Sequence, residues 1–103
     1  MKIAFQGRRG AYSESAGYHL FGDRVSVHPV DTFEEIYQLV QSGAVQGGVI
    51  PIENSTAGSI LDNYDLLLKY RLPIVSEVKL QIEHCLMAFA GTTIADLRKV
   101  YSH

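Results

Sequence analysis

The sequence predicts an α/β fold: a mainly parallel sheet with helices on its faces. Three observations carry this. Short apolar runs alternate with segments of helical period, in the order β-α-β-α-β-α-β. The helical segments begin at polar caps, and the first two end at glycines, Gly22 and Gly43, as helix termini favour. The 103 residues, 47% of them hydrophobic and 19% charged, are enough for one small domain or one lobe of a larger one.

Ile3-Ala4-Phe5 is a short apolar run ended by Gly7, as expected of a buried strand. Ser13 opens a helix through Phe21, with Tyr12 or Ala16, His19 and Leu20 at helical spacing and Gly22 as the stop. Arg24 to Val30 alternates through Val25 and Val27 as a second strand ending near Pro29. Thr32-Phe33-Glu34-Glu35 is a capping-box pattern, in which hydroxyl and carboxylate each satisfy an orphan amide. The helix it opens has Phe33, Ile36, Tyr37 and Val40 on one face and stops at Gly43. Val45 to Ile52 is a third strand, interrupted by Gly47-Gly48 and bent at Pro51. Ser59 then caps a helix with Ile60, Leu61, Tyr64, Leu67 and Leu68 as its buried stripe. After Pro73, Val78, Leu80 and Ile82 alternate with Lys79, Gln81 and Glu83, a strand with one wet face. A short helix is expected around Ile94 to Arg98, and Val100-Tyr101 starts a last strand.

Composition excludes several functions. Nine basic against eleven acidic side chains give a net charge of -2, and nucleic-acid binding normally rests on a concentrated basic face. The longest apolar run, Cys85 to Ala90, is too short to span a bilayer. Cys85 is the single cysteine, so a disulfide within the chain and a Cys-based zinc site are both excluded. His84 and Cys85 are strand neighbours facing opposite ways and cannot share a metal; Cys85 is expected to be a packed thiol. Only three apolar residues follow Met1-Lys2 before Gln6-Gly7, with no leader pattern, so a cytoplasmic protein is expected.

Open α/β sheets bind ligands beyond the carboxyl ends of their strands. Two turns there carry polar chemistry. The first is Gln6-Gly7-Arg8-Arg9-Gly10-Ala11-Tyr12-Ser13, where glycines permit close backbone approach and a helix start offers N–H groups to an anion. It lacks the Walker lysine and the dinucleotide glycine spacing, and chain reversal alone would also explain its glycines. The second runs from Pro51 to Ser59. There Asn54, Ser55 and Thr56 offer neutral hydrogen bonds, and amides near Ser59 could hold a carboxylate; an elaborate cap and turn is the competing reading.

Gly7-x-x-Gly10-Ala11-Tyr12-Ser13 and Val49-Ile50-Pro51-Ile52-Glu53-Asn54-Ser55-x-x-Gly58-Ser59-Ile60 resemble the catalytic domain of the prephenate dehydratase family. Asn63-Tyr64-Asp65-Leu66-Leu67-Leu68, His84-Cys85-Leu86 and Tyr101-Ser102-His103 match in the same order. Arogenate dehydratases share most of these words. The resemblance implies a periplasmic-binding-protein type II-like fold, truncated in its second lobe. Residues 1 to about 75 would form most of lobe one, and about 76–103 the start of lobe two. It implies a carbon–oxygen lyase converting prephenate to phenylpyruvate in phenylalanine biosynthesis, without a cofactor, with a small-molecule substrate and as a homo-oligomer. Substrate contacts are expected at Asn54, Ser55, Ser59, Ser102, Gly10 and Ser13, with helix amides after Gly10 and Ser59 receiving carboxylates. Glu53 would brace its loop. The family's Thr-Arg-Phe motif, which bears the catalytic acid, and its regulatory ACT domain do not occur in this stretch, so the stretch alone is expected to be inactive. Arogenate dehydratase and a non-catalytic small-anion-binding module are the alternatives. Exposed apolar residues over 74–101 would favour a dimer or a domain swap.

Overall fold

The structure, a computed structural model, describes residues 1–55 and 58–102. Three strands form a parallel sheet: β1 (Lys2–Gln6), β2 (Ser26–Val30) and β3 (Gly47–Val49), in the order β2-β1-β3. Ile3 pairs with Val27 on one side and Gly47 on the other, and Phe5 with Pro29 and Val49. Helix α1 (Tyr12–Phe21) joins β1 to β2, and α2 (Phe33–Gln41) joins β2 to β3. The chain steps to one side of β1 and then back past it, so crossovers of one hand place the two helices on opposite faces.

The burial follows that division. Successive side chains of a strand point to opposite faces. Ile3 and Phe5 therefore join Ala16, Val25, Val27 and Val49 under α1, while Ala4 joins Val30, Ile36 and Val45 under α2. Gly48 is what lets α2 come close: a Cβ there would overlap Ile36 Cγ2 and lie 3.5 Å from Val40 Cγ2. Pro29 sits inside β2 rather than ending it. This is possible because β2 is an edge strand, where a missing N–H leaves no ladder bond broken.

β3 is shorter than the expected 45–52. Val45 N–H turns back to the Leu39 carbonyl (3.3 Å), and Pro51 beyond it has no N–H to offer a ladder. The chain then pairs two short antiparallel strands of two residues each, β4 (Glu53–Asn54) and β5 (Gly58–Ser59). Helix α3 (Leu61–Tyr70) starts after Ile60, not at Ser59, and Ser59 belongs to β5. Its buried face is Asn63, Leu66, Leu67 and Tyr70, one residue round from the expected stripe. Leu61 and Leu68 are correspondingly 70% and 76% exposed.

Beyond α3 the expected strands do not form. Residues 71–89 carry no regular element, a single 3-10 turn covers Ile94–Asp96, and no ladder forms at Val100-Tyr101. The apolar alternation at 78–82 is used differently: Val78 and Leu80 pack on the α1 side of the core instead of pairing into the sheet. The Tyr12 hydroxyl donates to the Glu83 carbonyl (2.7 Å) and accepts from the Glu83 N–H (2.9 Å), fastening this stretch to the start of α1. Cys85 is exposed, not packed. Among the described residues no helix is long and apolar enough to cross a membrane.

Candidate functional site

The two polar turns leave the carboxyl ends of adjacent parallel strands. The 7–11 turn follows β1 and the 50–60 stretch follows β3, where Phe5 and Val49 are register partners. The chain has α1 on one face here and α2 on the other, which makes this edge a topological switch point. Gly10 and Ser13 are thereby brought to the same edge as Asn54, Ser55 and Ser59. Ser102 lies on the exposed stretch after the 3-10 turn, outside the sheet, and Thr56 and His103 lie outside the described residues.

In the first turn the anion is already supplied by the protein. Gly10, at φ +90°, donates its N–H to Glu14 Oε2 at 2.5 Å. Glu14 is buried, accepts from the Tyr18 hydroxyl at 3.3 Å and has Arg9 at 3.9 Å. Ala11 N–H goes to the Arg8 carbonyl and Gly7 N–H to the Val30 carbonyl. The amides expected to receive a substrate carboxylate are those following Gly10; the Gly10 donor itself is taken by Glu14 and that of Ala11 by the Arg8 carbonyl. Nor does Ser13 open α1: Ala11 is the N-cap and Ser13 is the second helical residue, half-buried. Glu14 was legible as the fourth residue of an Ala-x-x-Glu start, where a carboxylate reaches back over the first turn.

The second corner is held at its neck. The Ile52 carbonyl accepts from Ile60 N–H (2.9 Å), and the Pro51 carbonyl accepts from Asn63 Nδ2 (2.7 Å). Above that neck, Glu53 pairs with Ser59 and Asn54 with Gly58. Glu53, Ser55 and Ser59 are exposed and Asn54 half-buried. Because Ser59 is in β5, it is not the cap of α3, whose first amides follow Ile60.

Asn63 is 0% exposed, and its own carbonyl accepts from the Tyr37 hydroxyl at 3.2 Å. Its Oδ1 is buried without a partner, a cost of about 1–3 kcal/mol for such an atom. Tyr37 stacks on Tyr70 with ring centroids 5.4 Å apart, and burial pushes its phenol up to about 12. Tyr70 and Lys69 both donate to Glu34 Oε1, at 2.7 and 2.5 Å. The hydrogen bond from Lys69, helped by that from Tyr70, holds the Glu34 carboxyl below its ordinary range.

A hollow of about 500 Å³ opens between the end of β1 and α3. Its rim carries Asp31, Glu34, Asp62 and Asp65 with Gln6 and Thr32, and none of the six candidate residues. Arg8 lies 3.6 Å from Asp31, and Lys69 is engaged with Glu34. Four carboxylates against two paired cations repel a dianion, so this hollow is no site for one.

The family model for prephenate dehydratase matches residues 3–103. The chain is 50% identical to arogenate dehydratase 2 of Petunia hybrida over all 103 residues, covering 26% of that protein. It is 48% identical to arogenate dehydratase/prephenate dehydratase 2, chloroplastic, of Arabidopsis thaliana, again over its whole length and 27% of the relative. The chain thus spans about a quarter of the length of the curated relatives it matches. Among solved structures it is similar to prephenate dehydratase from Streptococcus mutans, with TM-score 0.62 and 29% identity over 67% of this chain and 36% of that one. The expectation of a cytoplasmic protein is overturned: Arabidopsis relatives matched over the entire chain are named chloroplastic. A family match over residues 3–103 means that the chain belongs to the prephenate dehydratase family.

Proposed function

We propose that the chain supplies a substrate-gripping part of a lyase that converts prephenate to phenylpyruvate, with residues 1 to about 75 in one lobe and about 76–103 beginning a second. The observation that carries this reading is that the two polar turns follow β1 and β3, strands paired side by side in the sheet.

In the reaction the bond to the ring carboxylate breaks, the carboxylate leaves as carbon dioxide, and the electron pair of the bond enters the ring. The bond to the ring hydroxyl breaks in turn, and a proton turns the departing hydroxide into water. Aromatisation drives the step, so the protein mainly holds two carboxylates and protonates a leaving group. A general acid is worth about 10²–10⁴ in rate; the family likeness assigns it to a threonine of a motif outside this chain. Asn54, Ser55, Ser59 and Ser102 would orient the substrate by hydrogen bonds. The Gly10 and Ser13 turn shapes the neighbouring wall, its own N–H held by Glu14. Glu53, exposed and paired with Ser59, keeps its charge in water and braces the strand pair.

Calorimetry of the full chain with prephenate tests this. Saturable heat is expected, and Asn54→Ala should weaken binding by about ten-fold or more, the loss of one hydrogen bond to a charged group. A flat titration overturns the reading. Arogenate is the second reading, favoured by the arogenate dehydratase names of relatives at 50% and 44% identity. The same titration with arogenate, which carries an amino group in place of the keto group, separates the two.

A further inference from the structure

We propose that Asn63 is a positioning residue for the corner of residues 53–55 and 58–59, setting Asn54 and Ser55 in place through the Pro51 carbonyl. The inference rests on the reading above for what the corner binds, but not for how the corner is held.

Asparagine inside a helix is a poor helix former, and a buried amide with one open acceptor is a poor core residue. Asn63 is both: it sits in the first turn of α3 at 0% exposure with Oδ1 unpartnered. An apolar side chain would pack this position more cheaply by either measure. What Asn63 does there is tie the start of α3 both to the neck of the corner and to α2, whose other hydrogen bonds to α3 lie at the far end, from Lys69 and Tyr70 to Glu34. Nδ2 donates to Pro51 at 2.7 Å, its backbone N–H goes to Ile60 at 3.1 Å, and its carbonyl accepts from Tyr37 on α2 at 3.2 Å. Pro51 comes three residues before Asn54, and the next carbonyl, that of Ile52, is also held from the start of α3. Two consecutive carbonyls pinned from one helix start fix both position and tilt of the corner's neck. A single tie would leave it free to turn. The outer tie is a backbone bond, which any residue at 60 except proline makes. The inner one depends on the Asn63 side chain alone.

The test uses Asn63→Leu and Asn63→Asp, both of which lose the Nδ2 donor; leucine also removes the unpartnered acceptor. Hydrogen exchange is read at the amides of residues 53–55, 58 and 59, with those of β1 as internal reference. Exchange at the corner should rise about ten-fold or more while β1 amides stay unchanged, and the prephenate dissociation constant should rise by a similar factor. In a longer protein that turns over substrate, KM should rise with kcat held. A folded variant with unchanged corner exchange overturns the proposal, as does a rise shared equally by β1. If neither variant folds, the wild-type chain still decides it: the Asn63 side-chain amide protons must include one protected from solvent exchange, and rapid exchange of both overturns the proposal. A wild-type chain that binds no prephenate while the exchange arm succeeds refutes the function reading and leaves the anchoring intact.

Discussion

Tyr37 is the residue on which α2, α3 and the corner converge. It is 3% exposed, stacked on Tyr70, and donates to Asn63. A buried phenol must stay neutral to donate, and burial raises its proton affinity from the ordinary 10.0 to about 12. The folded state therefore holds this proton more tightly than the unfolded chain does. Its contribution is fully present below the unfolded value and is lost as pH rises from about 10 towards 12. Denaturant unfolding across that window should show falling stability, and Tyr37→Phe should flatten the fall. A wild-type slope no steeper than the variant's would refute the assignment. Glu14 shows the other side of residue-scale logic. A carboxylate from the protein's own helix occupies the Gly10 amide, so a turn rich in glycine and arginine is not by itself an anion site.

At the scale of elements, caps and periods set what the sequence could reveal. The Thr32 box is real in one arm: its hydroxyl accepts from Glu35 N–H at 3.3 Å and donates to Glu35 Oε1 at 2.9 Å. Replacing Thr32 by alanine should cost about 1 kcal/mol in unfolding free energy, the usual worth of such a cap, measured by urea titration. α2 was legible because Phe33, Ile36, Tyr37 and Val40 form a single stripe. α3 was not, because Leu66-Leu67-Leu68 and Tyr64 permit two stripes one residue apart. Choosing the right one requires accepting a buried asparagine, against every compositional expectation for a core. The third strand was overextended because Val49-Ile50-Pro51-Ile52 is apolar throughout, while its hydrogen bonds after Val49 go to α3 rather than to β1. The stretch 78–82 has the alternation of a strand, but side-chain pattern fixes only which face is wet. Whether a neighbour is present to complete a ladder is a tertiary fact.

On the scale of the whole molecule, the Cα radius of gyration is 16.3 Å, against about 13 Å for a compact chain of 100 residues. The excess follows from the poorly covered stretch after α3. Met87, Phe89, Ile94 and Tyr101 are each more than 80% exposed, and Leu61, Leu68, Ile74 and Val75 add a second open apolar set. Surfaces of this kind drive association. Light scattering over a concentration series should give a mass rising above 11.4 kDa, and Leu86→Glu with Phe89→Glu should reverse the rise. A constant monomer mass would exclude self-association through 74–101. The Tyr12 hydroxyl gives this same stretch another property. One phenol completes both backbone groups of Glu83, which is the work of a neighbouring strand done by a single side chain. Releasing the stretch from α1 means undoing two hydrogen bonds and the partial burial of Val78 and Leu80, on the order of a few kcal/mol. A ladder would have to be unzipped rung by rung; a bolt can simply be drawn, and this one is seated on the first residue of α1, directly after the glycine turn that follows β1.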